Sequence, residues 1–299
     1  MKKTLTFLLA ELFVCATVSA QQVVPFKKGD RVAFVGNSIT DGGHYHSYIW
    51  LYYMTHFPYH EMWMANCGIG GDTSENIYNR LDGDVFSKRP NVITLTFGMN
   101  DTGYYEYNGN EPEKYGNGKV EWARNHYKDI EKRLKGLKDT RIVLIGASPY
   151  DDTSKFNIDI FRNKKHYMQK IVEFQDSAAR ANAWEFVDFN APMTAINHEY
   201  QKTDSTFTIC GNDRVHPDNN GHMVMAYLFL KAQGMAGKCV ADINVNAKNA
   251  KVLKSDNCTI SNVRNNQGVV TFDYLAESLP YPLDTIAHGW GMKRAPAEV

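Results

Sequence analysis

The feature of this sequence that most constrains its fold is a series of short, continuously apolar runs that alternate with longer amphipathic stretches. Strands that are covered on both faces need no polar alternation, so such runs are typical of a parallel sheet with helices on each side. The predicted strands span residues 31–35, 61–66, 92–97, 141–146 and 185–188. The pattern therefore predicts an α/β fold, in which functional groups gather beyond the carboxyl ends of the strands.

The stretches between these runs predict the helices that cover the sheet. They span residues 46–57, a segment capped by Asp72 or Thr73 that runs to about residue 81, residues 120–137 and 161–183, and a final helix that begins at Pro217 and runs to residue 231. Two segments fall outside the pattern. Residues 104–119, rich in Tyr, Gly and Asn, predict a loop, and the strand-like pieces after about residue 237 predict a small β appendage.

The first residues have the layout of a secretory signal. Lys2 and Lys3 precede a mostly apolar stretch, and Val18-Ser19-Ala20 forms a site of small residues at which a signal peptidase could cleave. An uncleaved anchor is the alternative. We expect an exported protein, periplasmic or extracellular, with no stable membrane insertion after cleavage.

Three segments follow from these boundaries. A signal peptide is predicted over residues 1–20, a main domain over 21–237 and a C-terminal appendage over 238–299. The sequence stops in a polar stretch without a clear terminal element, which leaves open a continuation beyond it.

The composition narrows the class of partner. Lys+Arg and Asp+Glu both number 33, so the formal net charge is zero, and nothing in it favours nucleic acid or an anionic membrane. The 43% of apolar residues is enough for a large core without disulfides. After cleavage the cysteines would be Cys67, Cys210, Cys239 and Cys258, whose pairing stays open; Cys67 at a strand end is expected to be a buried free thiol.

Ser38 is the candidate nucleophile. It stands in Gly36-Asn37-Ser38-Ile39, directly after the first predicted strand. A serine hydroxyl needs a base within hydrogen-bond reach, and that base needs an acid to orient it. The following helix could also direct its amino end at a reacting carbonyl. The alternative is that Ser38 only caps this helix.

Asp213 and His216 are the candidate acid and base. A spacing of three residues on a helical turn would put both side chains on one side, just before Pro217. The carboxylate would then select the imidazole tautomer and stabilise the imidazolium that forms.

Two further motifs could supply hydrogen-bond donors to an oxyanion. Gly71 lies in a glycine-rich turn after the second strand, and Asn100 follows Gly98 after the third. A glycine lets the backbone approach a ligand closely, and an asparagine amide donates two hydrogen bonds. A simple tight turn is the alternative for the glycines, whereas a phosphate loop is disfavoured because no Gly-Lys-Ser/Thr follows. Together these residues predict a serine esterase that needs no metal and no cofactor.

The order of these motifs resembles the SGNH hydrolase superfamily, also called the GDSL-like esterase/lipase family. The residues that carry the resemblance are Ser38, Gly71, Asn100 and His216, with Asp213 as the acid. It spans residues 28–231 and implies a flavodoxin-like three-layer α/β/α sandwich with a five-stranded parallel sheet. It also implies an acyl-serine intermediate, and an oxyanion hole formed by Ser38 N–H, Gly71 N–H and the amide of Asn100. The family's Gly-Asp-Ser-Leu is Gly-Asn-Ser-Ile here, which leaves the triad intact and leans away from the lipase-like branch.

The predicted substrate is an acetylated oligo- or polysaccharide. Tyr104, Tyr105 and Tyr107 follow the Asn100 motif, and tyrosine faces stack on sugar rings; an ordinary surface loop is the alternative. The chain resembles the exported carbohydrate-esterase members of the family in polysaccharide-degrading bacteria, which implies hydrolysis of O-acetyl esters. The alternatives are a lipase, thioesterase or aryl esterase of the same fold, and a glycan-binding protein without activity.

Overall fold

A five-stranded parallel sheet forms the centre of the molecule. The computed structural model describes residues 23–158 and 160–283, so the predicted signal peptide over residues 1–20 lies outside the described residues. The strands are β1 Arg31–Gly36, β2 Trp63–Gly68, β3 Val92–Phe97, β4 Arg141–Gly146 and β5 Glu185–Asp188. Their spatial order is β2-β1-β3-β4-β5, the flavodoxin-like order, in which the chain changes direction across the sheet between β1 and β3. The predicted fold class is confirmed.

Helices cover both faces of this sheet. They are α1 Ser38–Asp41, α2 His44–His56, α3 Ser74–Arg80, α4 Pro112–Lys135, α5 Lys164–Ala181, α6 Asn190–Gln201 and α7 Asn219–Ala232. Alternate residues of β1 face opposite layers, because successive strand side chains point to opposite sides. Phe34 packs in the core formed with α2 and α7, whereas Val35 packs in the core formed with α3, α4 and α5.

Several element boundaries differ from prediction, α2 among them, which spans His44–His56 rather than 46–57. β2 begins and ends two residues later than residues 61–66, because Arg31 pairs with Trp63 and the strand continues to Gly68. α5 spans Lys164–Ala181 rather than 161–183. α7 begins after Pro217, because the carboxylate of Asp218 caps it by accepting from the N–H of Gly221 at 3.0 Å.

The largest departure is α4, which begins at Pro112 rather than at residue 120 and so converts part of the predicted loop into helix. The glycines in the first turns of α4 contributed to the prediction of a loop over residues 104–119. A side chain at Gly116 would come within 2.2 Å of the Tyr167 ring, so this glycine serves the close packing of α4 on α5.

The helix α6 was not predicted, because its buried face is partly polar. Asn190 and Asn197 are each 2% exposed. Asn190 donates to the carbonyl of Ala147 at 3.1 Å, and Asn197 accepts from the N–H of Ile209 at 2.9 Å. Two hydrogen-bonded asparagines thus stand at buried positions where a helix is usually recognised by regularly spaced apolar residues.

The chain after the α/β core forms two antiparallel hairpins, which agrees with the predicted β appendage. Their strands are β6 Asp242–Asn246 paired with β7 Lys251–Asp256, and β8 Cys258–Asn266 paired with β9 Val269–Ala276. In the described part of the chain, every helix is too short or too polar to cross a bilayer.

Candidate active site

Ser38 lies at the first position of α1, just past the end of β1. The helix is capped by Asn37, whose side-chain oxygen accepts from the N–H of Ile39 at 3.1 Å. Capping therefore falls to the neighbour and leaves the Ser38 hydroxyl available. Gly36 allows the turn to close, because a Cβ there would lie 2.2 Å from Thr40 Oγ1. α1 is a single turn of four residues, so its donors act as individual N–H groups rather than as a long helix dipole.

The structure brings Ser38, His216 and Asp213 into one hydrogen-bonded chain. Ser38 Oγ lies 2.8 Å from His216 Nε2. His216 Nδ1 lies 2.6 Å from Asp213 Oδ2. The side chains of the acid and the histidine are each 50% exposed, so a substrate can reach them.

The segment that carries this acid and base is a turn rather than the predicted helical turn. Arg214, between them, has φ +70°, which no α-helix allows. Asp213 Oδ1 folds back to accept the N–H groups of Val215 at 3.0 Å and of His216 at 2.9 Å. The side chains therefore meet through a turn that the aspartate itself organises.

These hydrogen bonds set the charge of the acid. Partial burial alone would raise the pKa of Asp213, but hydrogen bonds from the His216 side chain and from two backbone N–H groups hold the pKa below its ordinary value. The carboxylate is therefore ionised at neutral pH. It accepts the Nδ1 proton of the imidazole and leaves Nε2 as the acceptor of the Ser38 hydroxyl proton.

Arg214 fastens the turn to the protein, a role that sequence reasoning missed. Its side chain is fully buried. It donates to the carbonyls of Asp151 at 3.1 Å and Ser154 at 2.8 Å. Gly211 permits the tight approach, since a Cβ there would lie 1.9 Å from the His216 carbonyl oxygen.

The candidate oxyanion donors lie on neighbouring loops. Gly71 has φ +83° and open space where a Cβ would stand. Asn100 Nδ2 donates to the carbonyl of Asp72 at 2.9 Å, which ties the loop after β3 to the loop after β2. Within the described residues, the backbone N–H groups of Ser38 and Gly71 are not taken by a protein acceptor, which leaves both available to a ligand.

Two further charged side chains support these loops and were not predicted. Arg80 Nε lies 2.6 Å from Asp72 Oδ2, and its Nη2 donates to the carbonyls of Gly36 at 3.1 Å and Cys67 at 2.8 Å. Asp101 is fully buried and accepts from the N–H groups of Ser74 at 2.8 Å and Gly98 at 2.9 Å. The first residue ties together the ends of β1 and β2, and the second ties the start of α3 to the end of β3.

The structure corrects the predicted tyrosine platform at Tyr107. Tyr107 is 1% exposed and donates to the Thr102 carbonyl at 2.8 Å, so its ring is withdrawn from any substrate. Tyr104 is half-buried and donates to Asn100 Oδ1 at 2.6 Å. Tyr105 is 77% exposed and lies edge-on against Phe161, and it alone of the three has a largely free ring.

The remaining His, Cys, Asp and Glu side chains in residues 23–158 and 160–283 bear on whether the chain holds a metal site. No group of three or more His, Cys, Asp or Glu there has the arrangement of a metal site. Cys67, Cys210, Cys239 and Cys258 are free thiols, and Cys67 is buried.

The chain belongs to the GDSL-like lipase/acylhydrolase family, whose model matches residues 34–224. The matched region runs from β1 into α7 and contains every element that carries the site. The family is one of hydrolytic esterases.

Known relatives agree with this placement. The acetylxylan esterase of Geobacillus stearothermophilus is 24% identical over 224 residues, which cover 69% of this chain and 94% of that esterase. One crystal structure of that esterase, a catalytic serine mutant, has a TM-score of 0.57 at 21% identity, covers 70% of this chain and 96% of the other, and shows the same fold. A gut microbial diltiazem-metabolizing enzyme has a TM-score of 0.87 at 56% identity and covers 94% of this chain. This chain spans 64% of the length of the gut enzyme.

Proposed function

We propose that the protein is an exported serine esterase that removes O-acetyl groups from carbohydrates through an acetyl-Ser38 intermediate. The observation that carries the proposal is the continuous chain from Ser38 Oγ to His216 Nε2 at 2.8 Å and from His216 Nδ1 to Asp213 Oδ2 at 2.6 Å. This is the arrangement by which a weakly nucleophilic hydroxyl is activated.

Acylation uses each member of the chain in turn. Ser38 Oγ attacks the acetyl carbonyl carbon as its proton passes to His216 Nε2, and Asp213 stabilises the resulting imidazolium. The carbonyl electron pair moves onto oxygen, which accepts hydrogen bonds from Ser38 N–H, Gly71 N–H and the free N–H of Asn100. The carbonyl then re-forms, the bond to the sugar oxygen breaks, and His216 returns its proton to that oxygen. The products are a sugar hydroxyl and acetyl-Ser38.

Deacylation repeats these steps with water as the nucleophile. His216 takes a proton from water, the hydroxide oxygen bonds to the acetyl carbon, and the same donors hold the oxyanion. The bond to Ser38 Oγ breaks, and His216 restores the serine proton. Acetate leaves and the site returns to its starting state.

Three observations support an acetylated sugar outside the cytoplasm as the substrate. The relative that is aligned with this chain over 94% of its own length is an acetylxylan esterase. Tyr105 presents a largely free ring beside the loop that carries Asn100, as a sugar-stacking side chain would. The secretory layout of the first residues agrees with a substrate outside the cytoplasm.

A second substrate class, acetate esters of aromatic or drug-like alcohols, is favoured by the relative at 56% identity, which metabolizes diltiazem. Diltiazem carries an acetate ester, on which the steps above would act unchanged. Both substrate classes share the acetyl group and differ only in the leaving alcohol.

The test compares the wild type with Ser38→Ala on p-nitrophenyl acetate, acetylated xylooligosaccharides and diltiazem. We expect the wild type to release acetate without added metal and Ser38→Ala to lose turnover while it keeps its circular dichroism spectrum. Mass spectrometry of the oligosaccharides before and after treatment identifies which acetyl groups leave. Faster turnover of long-chain p-nitrophenyl esters would instead indicate a lipase, and glycan binding without hydrolysis of any ester would indicate a binding protein.

A further inference from the structure

The side-chain amide of Asn100 is held at both ends. Its Oδ1 accepts from the Tyr104 hydroxyl at 2.6 Å, and its Nδ2 donates to the Asp72 carbonyl at 2.9 Å. An amide nitrogen has two N–H groups, so one remains for a ligand. A half-turn of the amide would bring Oδ1 against the Asp72 carbonyl, an unfavourable pair of acceptors. Tyr104 and Asp72 together therefore select the orientation that leaves a donor free.

Tyr104 is itself fixed by its neighbours. Lys164 Nζ lies 3.9 Å from the centre of its ring, within the range of a cation–π contact. Phe161 packs against the ring at 5.4 Å in an edge-on arrangement. Burial, with a smaller contribution from the Asp213 carboxylate, raises the pKa of Tyr104 above its ordinary value. The hydroxyl therefore keeps the proton that it donates to Asn100.

Lys164 holds the segment on which Asn100 lies. Its side chain is fully buried at the start of α5 and donates to Met99 O at 2.5 Å, Thr102 Oγ1 at 2.7 Å and Gly103 O at 2.6 Å. The Thr102 hydroxyl lies 3.1 Å from the carbonyls of Gly98 and Met99, which share its single proton, so its oxygen is left to accept from the lysine. Three acceptors use all three N–H groups of an ammonium.

Two effects act in opposite directions on the pKa of Lys164. Burial lowers the pKa of Lys164 below its ordinary value, and the buried Asp101 carboxylate acts in the opposite direction. The three short contacts, all to acceptors, favour the charged form over a neutral amine, which has only two N–H groups. The groups that Lys164 binds stand on both sides of Asn100 in the chain, so the lysine restrains the backbone while Tyr104 restrains the side chain.

We propose that Tyr104 and Lys164 are positioning residues that preorganise the amide of Asn100 for the oxyanion, a role that rests on the esterase function proposed above. Preorganisation matters because a donor contributes to catalysis only when it already points to where the negative charge develops. Tyr104 then acts through Asn100 and not as a stacking platform for sugars.

Tyr104→Phe is the sharpest kinetic test, since it removes one hydroxyl and keeps the ring beneath Lys164. We expect kcat on p-nitrophenyl acetate to fall ~10–100-fold with KM little changed, against ~10²–10³-fold for Asn100→Ala. The double variant should be no slower than Asn100→Ala alone, because Tyr104 acts only through that amide. The matched control is Tyr227→Phe, a half-buried tyrosine on α7 with Lys231 Nζ 5.8 Å from its ring centre, which should keep the wild-type kcat.

Several kinetic results would overturn the proposal. An unchanged kcat for Tyr104→Phe on p-nitrophenyl acetate would do so. So would a double variant whose fold-loss in kcat equals the product of the two single losses. A change confined to KM for acetylated xylooligosaccharides would show that Tyr104 contacts the sugar instead.

Lys164 is tested through two variants. Lys164→Met removes every N–H donor, and Thr102→Val removes one acceptor in case the first variant does not fold. We expect each to lower kcat more than it changes KM, and to lose this effect in the Asn100→Ala background. Wild-type kcat in either variant, or an equal effect in both backgrounds, would contradict the role of Lys164.

Crystal structures of the wild type and Tyr104→Phe provide a readout that needs no turnover. We expect the Asn100 amide to leave the Asp72 carbonyl, or to occupy more than one orientation, in Tyr104→Phe. An amide that stays in the same place would refute the positioning role. A wild type that hydrolyses no ester would refute the proposed function, and the comparison of the two structures would still decide whether Tyr104 orients Asn100.

Discussion

At the scale of single residues, Asp213 divides two tasks between its carboxylate oxygens. Oδ1 accepts two backbone N–H groups and shapes the turn, whereas Oδ2 accepts from the imidazole. Arg214, next to it, is a buried cation whose donors go to backbone carbonyls of a distant segment. The geometry of the site thus depends on hydrogen bonds that touch no substrate.

Asp213→Asn separates these two tasks. The amide oxygen can still accept the backbone N–H groups, but the amide nitrogen would face His216 Nδ1 and favour the wrong tautomer. We expect kcat to fall ~10³–10⁴-fold, as in other serine hydrolases with this substitution, while the melting temperature stays near the wild-type value. Steady-state kinetics and a thermal melt measure both, and activity within tenfold of the wild type would contradict the assigned role.

Arg214→Met should destabilise the fold. It leaves the buried carbonyls of Asp151 and Ser154 without donors, so we expect the free energy of unfolding to fall by about 2–4 kcal/mol. Urea denaturation followed by fluorescence measures the loss. Arg31→Met is the matched control, because exposed Arg31 also donates to two carbonyls, at 3.2 and 2.8 Å, and should lose less than about 1 kcal/mol. Equal losses would argue against burial as the cause.

At the scale of elements, the residues of the site lie on loops that belong to different strands and helices. Ser38 follows β1 and Asn100 follows β3, on the two sides of the point where the strand order reverses. His216 precedes α7, which packs beside α2 in one core layer. The site therefore forms only when both the sheet and this layer are assembled.

The helix α7 carries a buried histidine that makes stability depend on pH. Burial, and to a lesser degree the neighbouring His44, His46 and His216, lowers the pKa of His222 to about 3. The unfolded chain binds a proton at this residue near pH 6.5 while the native protein does not. Stability from this group is therefore present above pH 6.5 and declines as the pH falls toward 3.

His222→Phe should make this dependence weaker. From pH 7 to pH 5, a single such histidine costs about 2 kcal/mol of unfolding free energy, which the variant would not lose. The phenylalanine can keep the stack on Tyr45, where the two rings are parallel within 1°. Urea midpoints at both pH values test this, and the same change in both proteins would be contrary to expectation.

At the scale of the whole molecule, a short segment that follows the C-terminal hairpins contacts the α/β core. Leu279 N–H donates to the Thr55 carbonyl at 2.8 Å, and Tyr281 packs against the core. The hairpin strands themselves expose large apolar side chains, such as Leu253 at 58%, Val269 at 64% and Leu275 at 62%. Two-stranded hairpins without a covered face are marginally stable by themselves.

A chain that ends at Gly237 should therefore keep the activity of the α/β core. We propose residues 21–237 as the catalytic unit, and expect kcat on p-nitrophenyl acetate close to that of the full chain. The assay is steady-state kinetics on both proteins, with circular dichroism to verify folding. A folded but inactive truncated chain would show that the hairpins contribute to the site.

The sequence alone determined the sheet and the residue types of the site. The runs at Val92–Phe97 and Arg141–Gly146 are buried on both faces, so their apolar character is continuous and visible without a structure. Ser38 and Asn100 could be placed because functional groups follow the ends of such strands. Helix α6 was not predicted, because buried asparagines interrupt the regular spacing of its apolar residues.

Only the tertiary structure decided what holds the site in place. Sequence patterns assign the side chains of Arg80, Lys164 and Arg214 to the surface, yet each donates to a backbone carbonyl more than 40 residues away in the chain. Tyr104 was likewise predicted to stack on a sugar, whereas its hydroxyl donates to Asn100. Apolar periodicity reports which face of an element is buried, whereas the burial of a charge depends on acceptors that the chain brings together only on folding.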